Sequence, residues 1–145
     1  MTISKKEWIL LALRKAPLDR IHLMKALFLV WKRSGKNIPE YFDFVPYLYG
    51  PCSFEVYSVL DNLLSQGLII QPSHSPQRSI GYYLTKQGRI EAESVANTAD
   101  LSKIEMLELV VEKVSQLGFH ELLKEVYSEA PEFAVNSLVR EVIRK

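Results

Sequence analysis

The side chains that could do chemistry in this sequence are few, and their spacing argues for contact rather than for bond-making. His22, His74 and His120 lie far apart, with no cysteine or carboxylate at the short intervals that bind zinc. No phosphate-cradling GxxxxGK[ST], dinucleotide-type GxGxxG or nucleophile-elbow GxSxG occurs. Cys52, the single cysteine, follows Pro51 where a helix begins. A helix N-terminus can activate a thiol, but a lone cysteine is more often a small core residue. The expectation is therefore a non-catalytic protein with no metal and no cofactor. What remains is a set of cations and amides suited to an anionic surface. His22, Lys25, Lys32 and Lys36 fall within a narrow arc at about 100° per residue, with Arg33 beside them. Such an edge could hold phosphates; a solvated helix edge is the competing reading. Arg78, Lys86 and Arg89 add cations further on, and Ser58 and Asn62 are types that hydrogen-bond base edges.

These residues need elements to position them. Ser4 can cap a first helix running to about Ala16, with Ile9, Leu10 and Leu13 turned inward. Asp19 can cap a second, Arg20 to about Ser34, which Gly35 stops. That helix is apolar around most of its circumference and reads as the central core helix. Residues 42–48 (FDFVPYL) read as one short strand, with Gly50-Pro51 as the turn after it. Ser53 can cap a third helix that ends at Gly67. Leu68–Ile70 and Ile80–Leu84 read as a strand pair around a polar loop, and Thr85 as the cap of a fourth helix. Leu101–Leu117, Phe119–Ser128 and Glu132–Arg144 read as three more helices. Ile104, Leu107, Val111, Val114 and Leu117 form a stripe on the first of these. It could pair with its twin in a homodimer or pack on the chain's own core.

Charge is distributed unevenly. Residues 1–36 carry nine cations against two anions, residues 37–73 carry four anions and no cation, and residues 104–145 carry eight anions against five cations. The overall balance is only +1. A basic front joined to an acidic middle and tail points to an anionic partner, to self-association of unlike faces, or to plain solvated surfaces. The lone cysteine fits a cytoplasmic setting, and no apolar run approaches a membrane span.

The third helix holds the place of a DNA-recognition helix. Its outward arc is Phe54, Glu55, Ser58, Asp61, Asn62, Ser65 and Gln66, which offers base-contacting groups but no cation. Phosphate anchoring would fall to the basic edge or to Arg78, Lys86 and Arg89. The same face, with Tyr47, Phe54, Glu55 and Asp61, suits a protein partner.

LLSQGLI followed by GYYLTKQGRIEAE resembles the helix, wing and helix pattern of bacterial winged-helix regulators. The longer arrangement LMKALFLVWKRSG, then FVPYLYGPCSFEVYSVLDNLLSQGLI, looks like the Panacea-type antitoxin domain and related prokaryotic proteins. The first resemblance implies a mainly α fold with a small β-hairpin wing. Residues 1–98 would form a winged helix-turn-helix core and residues 99–145 a C-terminal helical extension. It also implies DNA binding of a transcription-regulator kind. The second implies a prokaryotic module that neutralises or adapts a partner by direct protein contact. DNA is the first expectation and a partner protein the second.

Overall fold

The computed structural model describes residues 2–72 and 81–134. Arg78, His74 and most of the expected last helix lie outside the described residues. Helix α1 (Lys5–Lys15) starts at a capping box: the Glu7 amide donates to Ser4 Oγ at 3.2 Å, and the Ser4 amide donates to Glu7 Oε1 at 2.9 Å. Helix α2 (Arg20–Arg33) starts where the His22 amide donates to Asp19 Oδ1 at 2.8 Å. Every residue of α2 from Leu23 to Val30 is buried, so this helix is the axis of the core. Each large apolar side chain taken fully from water there contributes about 1.5–3 kcal/mol.

The segment after α2 departs from the expectation of one strand and a turn at Gly50-Pro51. Two strands, β1 (Val45–Tyr47) and β2 (Gly50–Cys52), pair antiparallel as a hairpin that turns at Leu48-Tyr49. Pro46 faces Pro51 across it, a pairing possible where opposed residues exchange no hydrogen bonds. Gly50 has φ +93°, and a Cβ there would lie 2.7 Å from the Tyr127 ring, so the hairpin closes against the C-terminal helices only with glycine.

Helix α3 (Phe54–Ser65) follows at once. Ser53 does not cap it as expected, because its hydroxyl is buried and makes no cap hydrogen bond; its amide instead donates to Met24 Sδ at 3.3 Å. Strands β3 (Ile69–Ile70) and β4 (Tyr83–Leu84) form a second antiparallel pair. The Tyr82 amide donates to Leu18 O at 2.8 Å, so the linker between α1 and α2 extends that pair by one bridge. Helix α4 (Lys86–Thr98) is capped by Thr85, whose Oγ1 accepts from the Gly88 amide and donates to Gly67 O at 2.7 Å.

Helix α5 (Leu101–Ser115) packs against α1 and α2, and α6 (Phe119–Glu129) leads into a 3-10 turn, Pro131–Ala134. The stripe of Ile104, Leu107, Val111 and Val114 is buried inside the chain, so it packs on the chain's own core and is not free as a dimer seam. One buried cluster runs from Ile3 to Ala134 and includes residues on both sides of the expected 98/99 division. The fold is mainly helical with a small antiparallel hairpin following α3. Among the described residues no helix is long and apolar enough to cross a membrane.

Candidate functional site

The nine cations of the basic front are each engaged within the chain. Lys5 pairs with Glu55 at 2.7 Å, Lys6 with Glu91 at 2.9 Å and Lys15 with Glu112 at 3.9 Å. Arg14 reaches both Glu93 and Glu108, at 2.9 and 3.2 Å. Lys32 lies 3.6 Å from Glu132, and Arg33 holds Glu129 through two hydrogen bonds with Glu125 at 3.8 Å. Lys36 sits 5.4 Å over the Trp31 ring, and Arg20 5.2 Å over the Tyr57 ring. The unlike charges of front and tail thus meet inside one molecule. Exposed pairs of this kind are worth about 0.2–1 kcal/mol each, and they leave less free positive charge for phosphates.

Lys25 is the correction to the expected basic edge. It is 3% exposed, beneath the β1–β2 hairpin, and its Nζ donates to Pro51 O at 2.9 Å. It is therefore not an exposed cation that a phosphate on a DNA backbone could meet. Burial pushes its amine down to about 8, opposed by the nearby Cys52 thiol. Periodicity placed it on an open edge because the hairpin that covers it is a long-range feature.

The other expected residues are spread over two surfaces. Ser58, Asp61 and Asn62 are exposed on the outward face of α3, and Lys86 and Arg89 are exposed near the start of α4. Tyr47 and Phe54 are also exposed and stack edge to face with centroids 5.3 Å apart. Val45, Leu48 and Tyr49 on the same hairpin are exposed as well, so the face is apolar and aromatic. Glu55 is half-buried below it, tied to Lys5 and accepting from the Asp43 amide at 3.2 Å. Its carboxyl is held below the usual range, first by the Lys5 hydrogen bond.

Between α2, the hairpin and α3 lies a cavity of about 40 Å³ lined by Arg20, Lys25, Tyr47, Tyr49, Cys52 and Tyr57 among others. Arg20 and Tyr57 also wall a second cavity of about 150 Å³, with Asp61 and Tyr82. Burial and the Cys52 thiol, 3.8 Å from its hydroxyl, push the Tyr57 phenol up to about 12. The sequence reading did not connect Arg20, Cys52 and Tyr57. Arg20 stands in the sequence only as the first residue of a helix, and its meeting with Tyr57 depends on how α2 and α3 cross.

His22, expected on the basic edge, is a structural tie. Its Nδ1 faces the Asp19 carboxylate at 2.9 Å and its Nε2 faces Leu117 O at 2.7 Å. Both partners are acceptors, which favours the doubly protonated ring. Its pKa is raised, first by the Asp19 hydrogen bond, against partial burial.

No protein-family model and no curated protein matches the chain.

Proposed function

We propose that this chain is a winged-helix-type regulatory module that acts by binding a protein partner through the face built from the β1–β2 turn and the start of α3. One observation carries this reading: the exposed Tyr47–Phe54 pair stands on a segment, residues 37–73, that has no cation. Aromatic anchors on a segment whose exposed charges are carboxylates fit an apolar segment carrying lysine or arginine. Asp43 and Asp61 are exposed and available as the rim. The resemblance to Panacea-type antitoxins supports a partner of this kind, in a cytoplasmic setting. Catalysis plays no part in it.

A second reading, DNA binding of the transcription-regulator type, rests on the exposed Ser58 and Asn62 and on Lys86 and Arg89. In that reading Lys86, Arg89 and Arg78 hold phosphates while α3 meets bases. A homodimer through α5 would use its outer face, where Leu101 and Leu109 are exposed, since the inner stripe is occupied.

Two measurements separate the readings. A stoichiometric partner isolated from the native host, titrated against the chain, loses at least tenfold in affinity with Phe54→Ser if the aromatic face is the interface; unchanged affinity overturns it. Random duplex DNA titrated over a salt series gives weak binding with a shallow slope; tight binding with a steep slope establishes the DNA reading instead.

A further inference from the structure

We propose that the cavity between α2, the β1–β2 hairpin and α3 is a binding site for a small 2-oxo acid, its carbonyl carbon at Lys25 Nζ and its carboxylate at Arg20. Lys25 is the buried charged side chain of the described core, and no carboxylate accompanies it. A buried ammonium without a counter-charge is costly. Its bond to Pro51 O ties the hairpin to α2, but a neutral donor would do that equally well. That bond uses one of three N–H donors. Lys25 and Arg20 both line the cavity, with Tyr47, Tyr49 and Tyr57, so two cationic residues and three tyrosines surround one small space.

That lining selects the ligand. No carboxylate lines this cavity, although Arg20 also faces Asp61 in the neighbouring one, so the lining suits an anion, and an amine favours a carbonyl. The cavity of about 40 Å³ limits the ligand to two or three carbons. Desolvation lowers the amine to about 8, so a useful share is unprotonated near neutrality, as a nucleophilic lysine requires. The Nζ lone pair adds to the carbonyl carbon, forming the C–N bond. The two protons lost by the nitrogen pass to the former carbonyl oxygen, which leaves as water, and the imine remains. No electrons are exchanged in that step. Because Tyr47 and Tyr49 line the cavity and are also exposed beside the aromatic face, this site lies directly under it.

The test is reductive trapping. The folded full chain is incubated with glyoxylate and cyanoborohydride at neutral pH, and the adducts are mapped by peptide mass spectrometry. Among the eleven lysines, Lys25 is expected to carry most of the label despite its burial. Arg20→Gln is expected to lower labelling by glyoxylate at least tenfold while leaving labelling by acetaldehyde, which lacks a carboxylate, within twofold. Label spread over the surface lysines with Lys25 unmodified overturns the site. Equal loss with both aldehydes, or no loss with either, overturns the assignment of the carboxylate to Arg20 and with it the 2-oxo acid.

Discussion

Arg33 on α2 grips Glu129 on α6 through two parallel hydrogen bonds, Nε to Oε1 at 3.1 Å and Nη2 to Oε2 at 2.5 Å. A fork-to-fork pair fixes both position and direction, so α6 cannot slide along α2 without breaking it. It is one stitch in a longer seam. Lys32 reaches Glu132 beyond it, and Glu125 bridges Arg33 and Lys113. The basic front that looked like an invitation to an outside polyanion is largely matched by the chain's own acidic tail.

Removing either member of the Arg33–Glu129 pair should destabilise the fold by about 1 kcal/mol. A double-mutant cycle with Arg33→Ala and Glu129→Ala, read by urea unfolding, should give a coupling of about 0.5–1 kcal/mol that shrinks in about 0.5 M salt. The Arg33 hydrogen bond holds the Glu129 carboxyl below its usual 4.5. A lowered carboxylate stabilises above its unfolded pKa and loses that stabilisation as pH falls through the folded one. The coupling should therefore vanish in acid. A coupling that is zero at low salt and neutral pH would refute the clamp.

Local signals were legible and distant ones were not. The caps at Ser4, Asp19 and Thr85 and the stop at Gly67 are set within a few residues, and all appear in the structure. The β1–β2 hairpin escaped because Gly50-Pro51 reads as a turn ending one strand, and only the pairing of Pro51 with Pro46 makes that segment a second strand. Lys25 escaped for the same reason: the hairpin that buries it could not be placed. The charge asymmetry was plain, but sequence alone does not say whether unlike charges meet within a chain or between molecules. Ser53 misled because an N-cap residue type can be drawn into the core, where its hydroxyl is left without a partner.

His22 should make stability depend on pH near neutrality. Its pKa is raised by Asp19, so the folded chain holds this proton more tightly than the unfolded chain does. The stabilisation is complete below the unfolded value of 6.5 and is lost as pH rises through the higher folded value. His22→Gln should therefore cost about 1.5–3 kcal/mol at pH about 6, the worth of hydrogen bonds to a charged group, and distinctly less at pH about 9. Thermal melts of both proteins across that range decide it; a pH-independent difference would show that the imidazolium is not the tie.

Gly88 should tolerate no side chain. A Cβ there would lie 1.9 Å from Leu68 O and 2.9 Å from its carbonyl carbon, both backbone atoms that cannot rotate away. The first turn of α4 is thus pressed against the start of the strand pair. Gly88→Ala would ordinarily gain helix propensity of about 1 kcal/mol. Here it should lose more than 3 kcal/mol, because α4 must move off the sheet. Urea unfolding showing Gly88→Ala to be as stable as the parent would contradict that packing.

Lys25 should cost the fold stability that an apolar side chain would restore, and the restoration should depend on pH in a defined direction. Burial lowers its pKa from 10.5 to about 8, so the unfolded chain binds this proton more tightly than the folded chain. For a lowered base, the penalty is full below the folded value and is relieved as pH rises from about 8 toward 10.5. A shift of that size corresponds to a penalty on the order of 3 kcal/mol at neutral pH. Lys25→Met removes it but strands Pro51 O, which costs about 1–3 kcal/mol at every pH. The absolute difference at pH 7 is thus small, while its slope is not. Relative to the parent, Lys25→Met should be most favourable near pH 7 and lose that advantage steadily up to pH about 10. Paired urea titrations across this range measure it, and a flat difference would mean that the amine is not a desolvated cation in the folded chain.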